Sequence, residues 1–216
     1  MKKRFLIIRL PLLSFIWLFL TVLLGGLTYP NYSHSSQFIS ELGATGAPYG
    51  ALVNYLGFVP TEIFILLFIF LASSILPKSR LMILGMTSIA IYAIALIIAA
   101  VFPCDFGCKP DEASISHNLH MSFGMIAYLF GIIGIIVLAI ESKKWPNAKL
   151  VHHSGWVLGV LAFVLLFSFD PESKFVGLIQ RFTEITIYAW FLILAVYLNR
   201  HMFNSKAQMS NNPFVD

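Results

Sequence analysis

By length the 216 residues would suit one soluble domain, but 58% hydrophobic and 11% charged residues, with a mean hydropathy of +0.84, lie well outside the soluble norm. The net charge of +4 does not argue for nucleic acid, because the Lys and Arg residues form no aromatic-interleaved stripe and fall between apolar runs instead. Two cysteines are too few for a disulfide scaffold, and the Walker A, Gly-x-Ser-x-Gly, His-Glu-x-x-His and dinucleotide motifs are all missing.

A hydrocarbon core of about 30 Å takes roughly 20 apolar residues in a helix. Six runs meet that length, over residues 5–27, 51–76, 81–103, 118–140, 151–169 and 176–199. Lipid offers no partner for exposed backbone groups, so the expected fold class is all-α: an integral membrane bundle of six transmembrane helices in one domain, residues 1–203. The first run follows Met1-Lys2-Lys3-Arg4 as a signal peptide would. It is too long for one, and Leu24-Gly25-Gly26-Leu27-Thr28 makes a poor cleavage site, so the helix is expected to be retained. Thr28 to Gly50 is a long connection rich in Ser, Gly, Asn and Tyr, of the kind that carries function. Pro77-Lys78-Ser79-Arg80 is a short basic turn that sets the second and third helices side by side. Residues 204–216 are polar and unpatterned and read as a disordered cytoplasmic tail.

Charge fixes the expected threading, because Lys and Arg flanks stay cytoplasmic. With the N-terminus inside, inner segments hold eleven of the fourteen basic residues and only Lys109, Lys174 and Arg181 lie outside. Both termini are therefore expected in the cytoplasm. The chain is expected in the cell (cytoplasmic) membrane as a multi-pass protein with membrane lipid as partner.

Ionisable groups inside a membrane are costly and mark candidate sites. Glu62 lies about a dozen residues into the second helix, two after Pro60, which frees a backbone carbonyl and kinks the helix. It is either hydrogen-bonded within the bundle or a proton or ligand group. Arg181 and Glu184 share a face of the sixth helix and can pair there. Arg181 either snorkels to the outer interface or contacts an anion or headgroup. Cys104 and Cys108 follow the third helix on the oxidising side, where Gly107 could allow the tight turn of a disulfide. His117 and His120 lie on one helix face, and with Asp105 and His34 they supply donors sufficient for zinc, although interfacial histidines are more often polar anchors. His152, His153 and His201 read as interface residues, and Gly124, Gly131 and Gly134 as helix-packing positions. Membrane belts and core packing account for the 15% of aromatic residues.

The outer segments hold Tyr32-Ser33-His34-Ser35-Ser36-Gln37-Phe38-Ile39-Ser40-Glu41-Leu42-Gly43-Ala44, then Phe102-Pro103-Cys104-Asp105, His120 and Gln180-Arg181. In this order they resemble the prokaryotic six-helix family catalogued as domain of unknown function 998, from about residue 8 to 200. The resemblance matches Ser40, Glu41, Asp105, His120 and Arg181 to the family's polar positions. The cysteines and His117 fall outside its pattern, and Glu62 stands where such proteins have a small or apolar residue. It implies no established activity.

The expected site is an outer mouth roofed by the first loop, gathering Ser40, Glu41, Asp105, His120, Arg181 and Glu184, with Arg181 paired to Asp105 or Glu41. Two readings stand. One is a protein that binds, senses or transports a lipid headgroup or small solute. The other is a hydrolase or transferase acting on outer-leaflet lipid, with Asp105 or Glu41 as base, His120 as base or metal ligand, and Arg181 holding a phosphate or carboxylate.

Overall fold

The computed structural model describes residues 2–202, so the tail expected over 204–216 lies outside the described residues. Six helices are long and apolar enough to cross a membrane. They are α1 (Lys2–Thr28), α2 (Gly50–Ile75), α3 (Arg80–Val101), α4 (Ile115–Glu141), α5 (Lys149–Leu166) and α6 (Val176–Tyr197). Each falls within a few residues of an expected run, and local chemistry explains the ends. α3 stops at Val101 because Phe102 precedes Pro103, which pushes the residue before it out of helical geometry; its ψ is 85°. α4 starts earlier than hydropathy suggests because the Ser114 hydroxyl caps it, accepting from the His117 N–H at 3.1 Å.

Pro60 is preceded by a local distortion of α2. The six residues before the next α-helical stretch, Val53–Phe58, widen into a π-helical turn. A proline in a helix strips the carbonyl four residues earlier of its donor, here Leu56. The Trp17 indole N–H of α1 takes up that carbonyl at 2.8 Å. A distortion in α2 is thus tied to the helix beside it.

α1 packs on α2 and α6, α3 packs closely along α4, and α5 lies against α4 and α6. Buried residues make up 61% of the α6 span and 44% or less of the others, which makes α6 the central helix. Its Tyr188, Trp190 and Phe191 are fully buried. Polar groups on its early turns therefore face protein rather than lipid. Arg4 donates to the Asn199 side chain at 3.2 Å, so the start of α1 and the end of α6 meet at one end of the bundle. The 29–49, 102–114 and 167–175 connections occupy the opposite end, called the loop end below.

Candidate functional site

The long first connection folds back into the bundle. Phe38, Ile39, Glu41, Leu42 and Gly43 are all buried, and Ile39–Gly43 forms a short 3-10 turn. Glu41 holds that turn: its Oε1 accepts from the Phe38 N–H at 2.9 Å and its Oε2 from the Gln37 amide at 2.8 Å. The turn is also pinned from below. Ile39 N–H donates to Gln180 Oε1 at 2.6 Å, and Asn54 Nδ2 donates to the Gly43 carbonyl at 2.8 Å. Beside it, a disulfide joins Cys104 to Cys108 through a turn in which Gly107 takes a φ of 68°, a region glycine occupies freely. The bridged pair packs on Phe38, Ala44 and Val176, and the Ser40 hydroxyl lies 3.6 Å from Cys108 Sγ.

Arg181 is the hub of the remaining loop contacts. Its Nη1 donates to the carbonyls of Gln37 at 3.1 Å and Gly177 at 2.9 Å, and its Nη2 donates to the Tyr32 hydroxyl at 2.7 Å and His34 Nδ1 at 3.0 Å. The pairing expected with Asp105 or Glu41 is not formed, nor is the pairing with Glu184 along the helix. Glu41 is engaged by two donors, with Gln37 standing between it and Arg181. Asp105 sits at the start of α4, where its Oδ2 accepts from the Ser114 N–H at 2.8 Å and lies 4.0 Å from His117 Nδ1. That Ser114 N–H is the main reason the Asp105 carboxyl is held below the usual carboxylate range. Burial pushes Tyr32 up to about 12 against the pull of Arg181, so its phenol keeps the proton it donates to the Phe38 carbonyl.

Arg181 can only donate, so His34 Nδ1 is an acceptor and the neutral ring carries its hydrogen on Nε2. Burial first, and the Arg181 charge second, hold His34 below its ordinary value of 6.5. The unfolded chain therefore takes the proton first. Docking of this loop is complete above that ordinary value and weakens as pH falls through the lower folded one. Backbone amides of residues 30–38 are expected to lose protection, relative to intrinsic exchange, between about pH 7.5 and about pH 5. His34→Asn should remove that dependence; equal protection at both pH values in the wild type would refute it.

Beneath the 3-10 turn lies a cavity of about 90 Å³ reached by Ser40, Glu62, His120 and Glu184 of the expected residues. Glu184 accepts from the Tyr128 hydroxyl at 2.6 Å and from the Tyr92 hydroxyl at 3.3 Å. Gln180 Nε2 donates to the Tyr128 oxygen at 3.3 Å. Glu62 is 4% exposed and its Oε2 has no partner. His120 Nδ1 lies 2.8 Å from the Ala99 carbonyl and 3.2 Å from that of Phe102, both acceptors, so the ring hydrogen belongs on Nδ1 and closes the frayed end of α3. Tyr92, Tyr128 and Asn54 were not among the expected site residues. The available signal was a phenol or amide deep in an apolar run, which needs a partner there.

A second space, a groove of about 340 Å³ between α1 and α6, is lined by Phe15, Leu18, Phe19 and Ile185, with His34, Arg181 and Glu184 at its head. Leu18, Ile39 and Glu184 border both spaces. The expected residues thus separate: Arg181 with His34, the cavity set, Asp105 with His117, Glu41 within its own 3-10 turn, and the bridged Cys104 and Cys108. The zinc set of His34, Asp105, His117 and His120 is not assembled. His34 is on Arg181, His120 Nδ1 is spent on carbonyls, and among the described residues no three His, Cys, Asp or Glu side chains converge as a metal site.

Six apolar helices around these buried polar groups define a multi-pass helical membrane protein. The chain belongs to the family described as proteins of unknown function (DUF998), which matches residues 12–197. No curated protein and no solved structure matches it.

Proposed function

We propose that the protein binds the headgroup of a membrane phospholipid at the loop end, with an acyl chain along the groove between α1 and α6. Arg181 carries this reading. Its guanidinium is tied to four neutral acceptors, no carboxylate lies in ion-pair range of it among the described residues, and its Nε is buried without a partner. A cation with no counter-ion at the head of an apolar groove suits the negative charge of a phosphate, with Nε–H the one donor not already engaged. A larger groove of about 420 Å³ between α1 and α2 has no charged side chain to orient a headgroup. Binding is preferred to hydrolysis because Asp105 and Glu41, the bases a hydrolase would use, are both occupied by backbone N–H groups.

The test is lipid retention by protein released from nanodiscs, read by native mass spectrometry. Wild-type protein should keep phospholipid, and Arg181→Gln should lower retention roughly tenfold or more, the scale of losing a charge-assisted hydrogen bond. Equal retention would overturn the reading.

The loop end is taken to face away from the cytoplasm, and the membrane to be the cytoplasmic one. Among the described residues ten of thirteen basic residues belong to the other side, and the disulfide suits an oxidising compartment. A cysteine at exposed Thr45 should react with impermeant maleimide on intact cells, while a reporter fused after Asp216 stays inside. The reverse labelling would invert the orientation.

A further inference from the structure

The cavity beneath the Ile39–Gly43 turn is one-sided in its polar chemistry. Each of its donor-bearing side chains already makes a hydrogen bond within the protein: Asn54 to the Gly43 carbonyl, Gln180 to Tyr128, Tyr128 to Glu184, His120 to the end of α3, and Ser40 at the Cys108 sulfur. No Lys or Arg lines it. The group left over is an acceptor, Glu62 Oε2, buried and without a partner, with a second carboxyl at Glu184 in the same wall. A buried acceptor left unmatched is a costly arrangement that a donor resolves, and no donor among the described residues reaches it.

Size and ligand number narrow the class. A volume of about 90 Å³ has room for about three waters, and hence for a compact polar group. A calcium or magnesium ion would ask for about six oxygen ligands or more, whereas a primary ammonium presents three N–H donors on one atom. Position narrows it further. Glu184 borders both the cavity and the lipid groove, and it lies three residues beyond Arg181 on α6, a rise of about 4.5 Å. A cation at the groove head and carboxyls deeper in the bundle offer opposite chemistry to the two ends of a zwitterion whose phosphate and amine are joined by an ethylene bridge.

We propose that the cavity receives a primary ammonium group, so that the bound lipid is an ethanolamine-type phospholipid with its phosphate at Arg181 and its ammonium against Glu62 and Glu184. This deepens the headgroup reading and rests on it. A choline headgroup has no N–H to donate to Glu62, and a glycerol headgroup brings hydroxyl donors but no cation to set against the two carboxyls.

The test uses the full chain released from nanodiscs of equal parts phosphatidylethanolamine, phosphatidylcholine and phosphatidylglycerol, with retained lipid identified by native mass spectrometry. Wild-type protein should enrich the ethanolamine lipid roughly tenfold over both others. Glu62→Gln keeps the shape and removes the carboxyl, and it should abolish the enrichment while leaving phosphatidylglycerol bound. Gly124→Leu should do the same by filling the cavity, since a Cβ at Gly124 meets nothing within 4 Å. Retention that needs Arg181 but shows no ethanolamine preference, or a preference that survives Glu62→Gln, overturns the ammonium site and leaves the headgroup reading standing. Retention indifferent to Arg181→Gln overturns both. Ethylammonium chloride alone should leave the melting temperature unchanged; stabilisation that Glu62→Gln removes would assign the cavity to a free amine and overturn the lipid as its source.

Discussion

Gly134→Val is expected to cost about 3 kcal/mol of stability, the upper range for overfilling a packed core, whereas Gly124→Ala on the same helix should be silent. A Cβ at Gly134 would stand 2.5 Å from Ile89 Cγ1 and 2.9 Å from the Gly85 carbonyl oxygen, and the second of these is backbone that cannot turn aside. Gly85 faces it across the seam, where a Cβ would meet Leu138 Cγ at 2.5 Å. α3 and α4 therefore approach through paired glycines, and a side chain at either one wedges them apart. Gly124 has open space instead and borders the polar cavity. The measurement is thermal unfolding in detergent, followed by gel-filtration elution. A Gly134→Val protein that melts with the wild type would mean that the helices are not in close contact there.

Arg181→Leu is expected to release the 29–38 segment while the six helices remain. Four hydrogen bonds from one guanidinium reach Gln37, Gly177, Tyr32 and His34, and bonds to a charged group are worth about 1.5–3 kcal/mol each before the cost of the partners left behind is counted. Gly177 strengthens the dependence. A Cβ there would collide with the backbone carbonyls of Gln37 and His34, so the segment sits directly on α6 and has little slack. Hydrogen exchange should rise roughly tenfold or more across residues 30–38, with helix amides unchanged. Arg181→Lys should fall between, because an ammonium is a point charge without the planar fork that spans two sides. Exchange unchanged in Arg181→Leu would show that the segment is held by the Glu41 and Gln180 contacts alone.

The helices were legible in the sequence because the membrane makes the problem nearly one-dimensional. Lipid cannot satisfy a backbone N–H, so each apolar run of sufficient length has to be a helix, and neither packing nor partner identity is needed to find it. The same reasoning reached Glu62 and Arg181, since a charge placed in an apolar run is conspicuous whatever surrounds it. The Cys104–Cys108 bridge was accessible for a similar reason: both residues and the Gly107 that permits their turn are local in sequence.

Which partner each polar group takes was decided only by tertiary structure. Sequence spacing set Arg181 beside Glu184 and left Asp105 and Glu41 within its presumed reach, yet Arg181 turns to the loop and Glu184 turns inward to Tyr92 and Tyr128. The choice depends on how α6 is rotated against α3 and α4 and on the path of the first connection, and an apolar helix in lipid carries little pattern to report either. Gly124 and Gly134 make the same point, since ten residues apart on one helix they look alike in sequence and differ only in what stands opposite. Hydropathy by itself determined where the chain crosses the membrane; close packing, through the particular atoms it brings face to face, decided which of its polar groups share a cavity and which of them remains unmatched.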